Sequence, residues 1–235
     1  SGLGGPGVVA YEGATGALMW EGKQRRQGYA SVMHLELLGR SQLVNLAATE
    51  LVGLDPVTGQ DLWSFTWDTW NGLSCAQPLV VSENRLFVST GYGKGAALIE
   101  LKEADGSITA SAVWTGMSMK NKFNSSVLID GVVYGLDEGR IAAVDVTTGK
   151  RLWKGKEFGY GQLIAADGKL IVLGEDGELA LVRVSPAAFE QVSAVKALNG
   201  KTWNNPALAE GILLIRNETE MVAYDLRKAG GTPEE

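Results

Sequence analysis

The sequence is poor in the side chains that most often carry catalysis and metal binding. Among 235 residues it has one cysteine, Cys75, and one histidine, His34. A lone cysteine cannot form an internal disulfide, and a chain of this length can bury a stable core without one. The counts exclude a zinc site of several Cys and His ligands, and there is no Gly-x-Ser-x-Gly turn for a catalytic triad. His34 lies in the strand-like segment SVMHLEL, so we interpret it as an ordinary strand residue.

Long apolar runs and excess positive charge are also missing. No apolar run approaches the roughly 20 residues that a membrane-crossing helix needs. The 27 acidic and 21 basic residues give a net charge of −6, which argues against a nucleic-acid partner or an anionic membrane surface. The chain begins SGLGGPG, without the pattern of a secretion signal, and we interpret this as a mature or trimmed end.

Glycine and tryptophan, by contrast, are plentiful. The sequence has 31 glycines and 7 tryptophans but only 6 prolines, which favours tight turns between short apolar segments and an all-β class. A polar residue that closes an apolar segment before a turn recurs every 38 to 45 residues, at Glu12, Asp55, Glu100, Asp145, Arg183 and Asp225. Most intervals hold four short apolar segments and no stretch of helical periodicity. Such units predict a β-propeller of four-stranded antiparallel blades.

The repeats predict one propeller domain over residues 1–235. We expect complete blades at about 29–67, 76–114, 124–157 and 161–197, partial blades at 7–22 and 203–227, and a disordered tail at 228–235. The two partial blades leave a strand count that is not a multiple of four. We therefore expect the C-terminal part of a larger seven- or eight-bladed ring, with a five-bladed ring in which residues 7–12 are displaced as the alternative.

The segments DPVTGQDLW (55–63) and DVTTGKRLW (145–153) show how the repeats are punctuated. The aspartate can accept hydrogen bonds from backbone amides two residues on, and the glycine can take a positive φ. A tryptophan follows each glycine by four residues, in the pairs Gly16 and Trp20, Gly59 and Trp63, and Gly149 and Trp153. We expect these indoles to pack between neighbouring blades, with stacking on a ligand as the alternative.

The repeated pattern of an acidic residue, two residues, Thr, Gly, three residues and Trp resembles the tryptophan-docking repeat of the pyrroloquinoline-quinone-like propellers. The resemblance runs from about Gly7 to Arg227 and is closest to the non-dehydrogenase members. That superfamily includes the quinoprotein alcohol dehydrogenases and the propeller lipoprotein of the outer-membrane β-barrel assembly machinery. Two units depart from the pattern, because Trp114 is displaced and the unit around Arg183 lacks both the turn glycine and the tryptophan.

The resemblance has consequences for chemistry and location. Dehydrogenases of the family hold their quinone against a ring of two adjacent cysteines beside a calcium ion, and the lone Cys75 cannot supply that ring. We therefore expect no cofactor, no metal and no catalytic residue within this chain. A periplasmic or extracellular location is implied by the resemblance alone.

Candidate binding residues lie where one blade leads into the next. In a propeller these connections share a face with the hairpins between second and third strands, and they lead into the central funnel. Aromatic, amide and cationic side chains there suit a peptide strand, a glycan or an anionic small molecule. The candidates are Arg26, Tyr29, Trp70, Asn71, Lys120, Lys122, Asn124, Tyr160, Trp203 and Asn204. Alternatively, Asn124, Asn204 and their neighbours cap the innermost strands around a water-filled channel.

Hairpin carboxylates on the same face, such as Asp137, Glu138, Glu175 and Asp176, are interpreted as solvated turn residues, with calcium binding as the less favoured alternative. Two hypotheses of function remain. The first is a non-catalytic binding or scaffold propeller of the bacterial cell envelope, with a protein or glycan partner. The second is a quinoprotein-like or carbohydrate-active enzyme whose catalytic groups lie in further N-terminal blades. Those blades, or another copy of the chain, could also complete the ring.

Overall fold

The computed structural model describes residues 5–227, and it is built almost wholly from β-strands. One short 3-10 turn, Trp70–Gly72, is the only helical element in that range. The predicted tail at 228–235 lies outside the described residues. The strands are β1 Gly5–Pro6, β2 Val9–Tyr11, β3 Leu18–Glu21, β4 Gln24–Arg25, β5 Met33–Leu37, β6 Arg40–Leu46, β7 Glu50–Leu54, β8 Asp61–Thr66, β9 Leu79–Ser82, β10 Arg85–Thr90, β11 Gly95–Ala104, β12 Ser107–Gly116, β13 Val127–Ile129, β14 Val132–Asp137, β15 Arg140–Asp145, β16 Arg151–Glu157, β17 Gln162–Ala166, β18 Lys169–Leu173, β19 Glu178–Arg183, β20 Gln191–Lys196, β21 Ala207–Ala209, β22 Ile212–Arg216 and β23 Met221–Asp225.

Within residues 5–227, four sheets have four strands each, and their strands pair antiparallel in chain order. We call them blade 1 (β5–β8), blade 2 (β9–β12), blade 3 (β13–β16) and blade 4 (β17–β20). A three-stranded C-terminal sheet (β21–β23) and a two-stranded N-terminal hairpin (β2–β3) flank them. This arrangement confirms the predicted fold class, an all-β propeller of four-stranded blades with two partial ones.

The core lies between the blades, and the two-residue period of each strand explains how. In blade 3, Val133 packs against blade 2 in one buried cluster, while the adjacent Tyr134 packs against blade 4 in another. Successive side chains of a strand point to opposite faces, so a strand covered on both sides is mainly apolar. All six residues of β14 are buried for this reason.

The N-terminal segment is held in a way that the repeats did not predict. β1 pairs with β4, so that Gly5 lies opposite Arg25, and the guanidinium of Arg25 forms ion pairs with Glu50 and Asp61 of blade 1. β3 pairs with β2, and within residues 5–227 the only strand paired with β23 is β22. The pairing of residues 17–22 with the C-terminal sheet, which a five-bladed ring requires, is therefore not seen in this range.

The repeated turns are built around their aspartates. Oδ1 of Asp55 accepts hydrogen bonds from the backbone amides of Val57 (2.9 Å) and Thr58 (2.8 Å), and Gly59 has φ +71°. Asp145 accepts from the amide and hydroxyl of Thr148, both at 2.7 Å. Hydrogen bonds to the charged form favour it, and they hold the pKa of both carboxyls below its usual range.

Three indoles reach across from one sheet to the turn of the next. The Nε1 groups of Trp20, Trp114 and Trp153 donate to the backbone carbonyls of Pro56 (3.1 Å), Val146 (2.9 Å) and Ser185 (2.8 Å). Trp20 covers Gly59 and Trp114 covers Gly149, so closely that a Cβ on either glycine would overlap the indole. The turn at Gly16 has the same positive φ, but no indole lies over it.

Trp63 differs from the other indoles. Its Nε1 donates to Oε1 of Gln42 (2.7 Å) within blade 1, although its ring belongs to the core cluster shared with blade 2. In blade 2 the turn between the third and fourth strands contains Asp105 and Gly106, at the end of two ten-residue strands. Trp114, which the pattern marked as displaced, lies over the turn of blade 3.

Candidate functional site

Five aromatic side chains from successive connections and hairpins lie side by side, and we call them the aromatic stripe. Trp70 comes from the β8–β9 connection, Tyr92 from the β10–β11 hairpin and Phe123 from the β12–β13 connection. Tyr160 comes from the β16–β17 connection and Trp203 from the β20–β21 connection. The stripe therefore lies on the face that holds both the connections between blades and the hairpins between second and third strands.

Each ring of the stripe contacts another, and the contacts branch at Phe123. Trp70 stacks on Tyr92 with centroids 5.5 Å apart, and Tyr92 meets Phe123 edge-on at 6.4 Å. Phe123 then contacts Tyr160 at 5.7 Å and Trp203 at 5.1 Å. These distances fall in the range where aromatic pairs attract each other beyond simple burial.

Much of this aromatic surface faces solvent. The side chains of Trp70 and Trp203, at two ends of the stripe, are 61% and 43% exposed, and the other three rings are half-buried. A contiguous exposed apolar surface is unusual on a soluble protein and marks a place for a ligand or partner.

Lysine side chains cover part of the stripe. Nζ of Lys122 lies over the rings of Tyr160 (4.1 Å), Tyr92 (4.8 Å) and Phe123 (5.5 Å), and Nζ of Lys201 lies 4.5 Å from the Trp203 ring. These are cation–π distances. Burial raises the pKa of the Tyr92 hydroxyl, and the charge of Lys122 opposes that rise in part.

Buried amides hold the connection that carries Lys122 and Phe123. Asn121 donates to Oδ1 of Asn124 (3.0 Å) and accepts from the hydroxyl of Ser126 (2.8 Å). Asn124 in turn donates to the carbonyl of Gly161, at the start of blade 4. Because the residues on both sides of the Lys122–Phe123 pair are fixed, the aromatic ring and the ammonium group are presented from a rigid support.

Glu175, in the β18–β19 hairpin, ties down the other end of the stripe. Its Oε1 accepts from Nε1 of Trp203 (2.9 Å), and its Oε2 accepts from the backbone amide of Tyr160 (3.0 Å). Glu175 also lines a cavity of about 580 Å³ together with Asp176, Glu178 and Lys196. The stripe therefore ends beside a cavity whose charged lining residues are mainly acidic.

The structure brings several of the sequence candidates together. Trp70, Lys122, Tyr160 and Trp203 all belong to the stripe or lie directly over it. At its first end, Nη2 of Arg26 donates to the carbonyl of Asn71 (2.8 Å), and Tyr29 is 71% exposed. At the other end, Asn204 lines a depression of about 220 Å³ with Trp203.

Two candidates point elsewhere. Asn124 is only 2% exposed, and its amide is taken up by Asn121 and Gly161, so it offers no group to a ligand on the surface. Lys120 is held in an ion pair with Asp137 at 2.6 Å. The interpretation of Asp137 as a solvated turn residue is wrong, because this carboxylate is fully buried among cations.

Sequence reasoning missed Tyr92, Phe123, Lys201 and Gln162, whose buried side-chain amide donates to the backbone carbonyls of Phe123 (3.1 Å) and Trp203 (3.0 Å). Phe123 lies between two chosen candidates, and Tyr92 lies in a hairpin on the face that the propeller topology identified. Both could have been found by asking which aromatic residues that face contains. Gln162 gives no such signal, because a glutamine at the start of a strand is ordinary.

The described part of the chain offers little for metal or redox chemistry. Within residues 5–227 no three His, Cys, Asp or Glu side chains are grouped as a metal site. Cys75 is half-buried, and burial raises the pKa of its thiol, which leaves less of the reactive thiolate. No helix in the same range is long and apolar enough to cross a membrane.

Blades stacked side by side, with indoles docked on the turn of the next sheet, define the protein as a β-propeller. Solved structures with the same fold include BamB from Moraxella catarrhalis, with a TM-score of 0.65, 15% identity and 92% of this chain covered. The computationally designed Ika8 protein has a TM-score of 0.64, 13% identity and 89% coverage. A chain of the mitotic checkpoint complex has a TM-score of 0.63, 11% identity and 91% coverage. The matches cover 67%, 62% and 66% of those chains, so this chain spans about two thirds of their length.

The family follows from the sequence match. The family model described as outer membrane protein assembly factor BamB matches residues 2–202. The chain therefore belongs to that family. Among curated proteins, none matches the sequence.

Proposed function

We propose that the protein is a non-catalytic propeller of the cell envelope that binds extended peptide segments along the aromatic stripe during outer-membrane protein assembly. The main support for the proposal is the set of five touching rings, which come from several blades and include the exposed rings of Trp70 and Trp203. The family description, an assembly factor for outer membrane proteins, supports the place of action.

The spacing of the rings favours an extended peptide. Alternate side chains of a β-strand lie about 6.6–6.8 Å apart on one face. Four of the rings form a row with successive centroids 5.1 to 6.4 Å apart, in the order Trp70, Tyr92, Phe123 and Trp203, and Tyr160 branches off at Phe123. A strand laid along the stripe could therefore set every second side chain against a new ring. The preferred ligand is then a segment whose apolar residues alternate with polar ones.

The charges at the stripe favour a ligand with acidic or neutral polar positions. Lys122 and Lys201 lie over rings of the stripe, and Lys94 lies over the nearby Trp67 at 4.4 Å. Glu175 is the carboxylate in direct contact with the stripe, and its oxygens already accept two hydrogen bonds. Ammonium groups can bind peptide carbonyls and carboxylates, whereas a basic peptide would be repelled.

A pair of labelled peptides tests this proposal. One alternates aromatic or branched apolar residues with Ser, Thr and Glu, and the other has the same composition in scrambled order. We expect fluorescence anisotropy to show at least about ten-fold tighter binding of the alternating peptide, a difference of about 1.4 kcal/mol. Equal affinity for the two peptides would contradict the proposal.

The stripe itself is tested with matched variants. Trp203→Ala removes an end ring and should weaken binding of the alternating peptide. Tyr11→Ala removes a comparably exposed ring, 61% exposed on the N-terminal hairpin, and should leave the affinity unchanged. If both variants bind like the parent protein, the stripe is not the binding surface.

A further inference from the structure

A second cluster of charged side chains lies at the seam between blades 2 and 3. Asp137, at the end of β14, is fully buried, and its two oxygens contact three cations. Oδ1 lies 2.6 Å from Nζ of Lys120, while Oδ2 lies 2.6 Å from Nζ of Lys154 and 3.0 Å from Nη2 of Arg151. We propose that Lys120, Arg151 and Lys154 form a binding site for a phosphate group, separate from the aromatic stripe.

The cluster carries more positive charge than the buried carboxylate needs. One cation would neutralise Asp137, and the other two add mutual repulsion, since Arg151 and Lys154 approach the same oxygen. Glu138 is the other nearby carboxylate, and it lies farther off, 3.7 Å from Nζ of Lys120 and 42% exposed. Cations held this close at a net positive charge are stabilised by an added anion.

The cations keep surface and donors free for such an anion. The side chains of Arg151, Lys154 and Lys120 are 37%, 28% and 12% exposed. An ammonium group has three donors and a guanidinium has five, so Arg151 and Lys154 keep donors that Asp137 does not use, whereas Lys120 also donates to the carbonyl of Met117 (3.3 Å). Arg151 also donates to the carbonyls of Met117 (3.4 Å) and Ser118 (3.2 Å), and these hydrogen bonds fix the orientation of its guanidinium group.

The chemistry of the site fits a phosphate monoester better than a single carboxylate. A phosphate monoester carries about −1.5 to −2 charges at pH 7 and three strong acceptor oxygens. The three cations exceed the charge of Asp137 and Glu138 by one, and the phosphate oxygens can accept from donors of two elements, the β12–β13 connection and β16. Asp137 acts here as a positioning residue, because it holds the three cations at one point before the anion arrives.

Calorimetry with inorganic phosphate tests the proposal. Phosphate is titrated at constant ionic strength, with chloride as the compensating salt, into the parent chain and into Arg151→Gln/Lys154→Gln. We expect affinity to fall at least about ten-fold in the double variant, because two charge-assisted hydrogen bonds are lost. The control, Lys169→Gln/Arg183→Gln, removes the same two charges from exposed one-to-one pairs with Asp167 and Glu190 and should leave the affinity unchanged.

Folding and the source of the phosphate are checked in parallel. Near-ultraviolet circular dichroism reports whether the double variant is folded; if it is not, Lys154→Gln alone replaces it and should still weaken phosphate binding. Flotation with phosphatidic acid vesicles, whose headgroup is a phosphate monoester, separates a lipid from a soluble source, since binding that is lost in the variant places the phosphate on a lipid headgroup. Binding of soluble phosphate without flotation assigns the site to a soluble phosphate compound. No phosphate-dependent signal in either assay, or an equal loss in the control, would overturn the proposal.

Discussion

Gln162 donates its side-chain amide to the backbone carbonyl of Trp203 at 3.0 Å, and the same nitrogen lies 3.1 Å from the carbonyl of Phe123. One buried amide, 5% exposed, therefore joins two connections of the aromatic stripe that are far apart in sequence. The relative position of the Phe123 and Trp203 rings depends on this link. Gln162 is a positioning residue with no ring of its own.

Gln162→Leu should weaken peptide binding without removing any group of the stripe. It leaves two carbonyls without their donor, which costs about 1–3 kcal/mol of folding free energy and lets both connections shift. Gln191→Leu, at an exposed position of β20, is the matched control. Urea unfolding and peptide anisotropy measure the two effects. A variant that loses stability but keeps the parent affinity would restrict Gln162 to a structural role.

Gly149→Ala should destabilise the protein more than Gly131→Ala, although both glycines have a positive φ, +69° and +78°. Adding Cβ in this conformation costs about 1–2 kcal/mol at either site. At Gly149 the new Cβ would also lie 2.7 Å from the Trp114 ring, while at Gly131 nothing lies within 4 Å. Such overpacking adds about 1–3 kcal/mol. Equal urea midpoints for the two variants would show that the docked indole contributes nothing to the blade seam.

Asp145→Asn should cost stability at neutral pH and less in acid. Hydrogen bonds from the Thr148 hydroxyl, then from its amide, hold the pKa of Asp145 below its ordinary value of 3.8. A lowered folded-state pKa stabilises the fold at pH values above 3.8, and this contribution is lost as pH falls through the folded pKa. The difference between wild type and variant should therefore shrink from pH 6 to about pH 2–3, as measured by thermal unfolding. A difference that stays constant over this range would contradict the assignment.

Lys122→Gln should shift the charge preference of the stripe. The variant removes the ammonium group that lies over three rings, so an alternating peptide with glutamates should bind about three- to ten-fold more weakly. The same peptide with lysines at those positions should bind more tightly than before. Lys102→Gln, which removes an exposed lysine paired with Glu100, is the control. Parallel changes for both peptides would show that Lys122 acts by packing and not by charge.

Much of the fold could be predicted from the sequence because the features that specify it are local. The apolar segments of each unit, the turn glycines and the aspartate caps act within about 45 residues, so their pattern predicts strands and blades directly. Trp63 shows the limit of such a prediction. Its motif is complete, yet its Nε1 donates to Gln42 of its own blade, because blade 2 has a long hairpin between its third and fourth strands. The groups that an indole contacts belong to the next blade, so the local motif cannot predict them.

Only part of the candidate site could be predicted from the sequence, for a similar reason. Propeller topology identified the face, and Trp70, Tyr160 and Trp203 could be chosen on it. Which rings touch is decided by how the blades are set beside each other, so Phe123 at the centre was not singled out. Asp137 could not be predicted as buried, since a carboxylate in a hairpin is usually solvated and its partners come from two other elements.

Photo-cross-linking along the stripe tests the central claim most directly. A photoreactive phenylalanine analogue replaces Phe123. The alternating peptide is prepared as a series in which each member carries an isotopic label at a different position. The account predicts cross-links only at residues of one parity, all odd or all even along the peptide, because a bound strand turns alternate side chains toward the position of Phe123. Cross-links spaced alternately three and four residues apart, or spread evenly over the peptide, would contradict an extended peptide on the aromatic stripe.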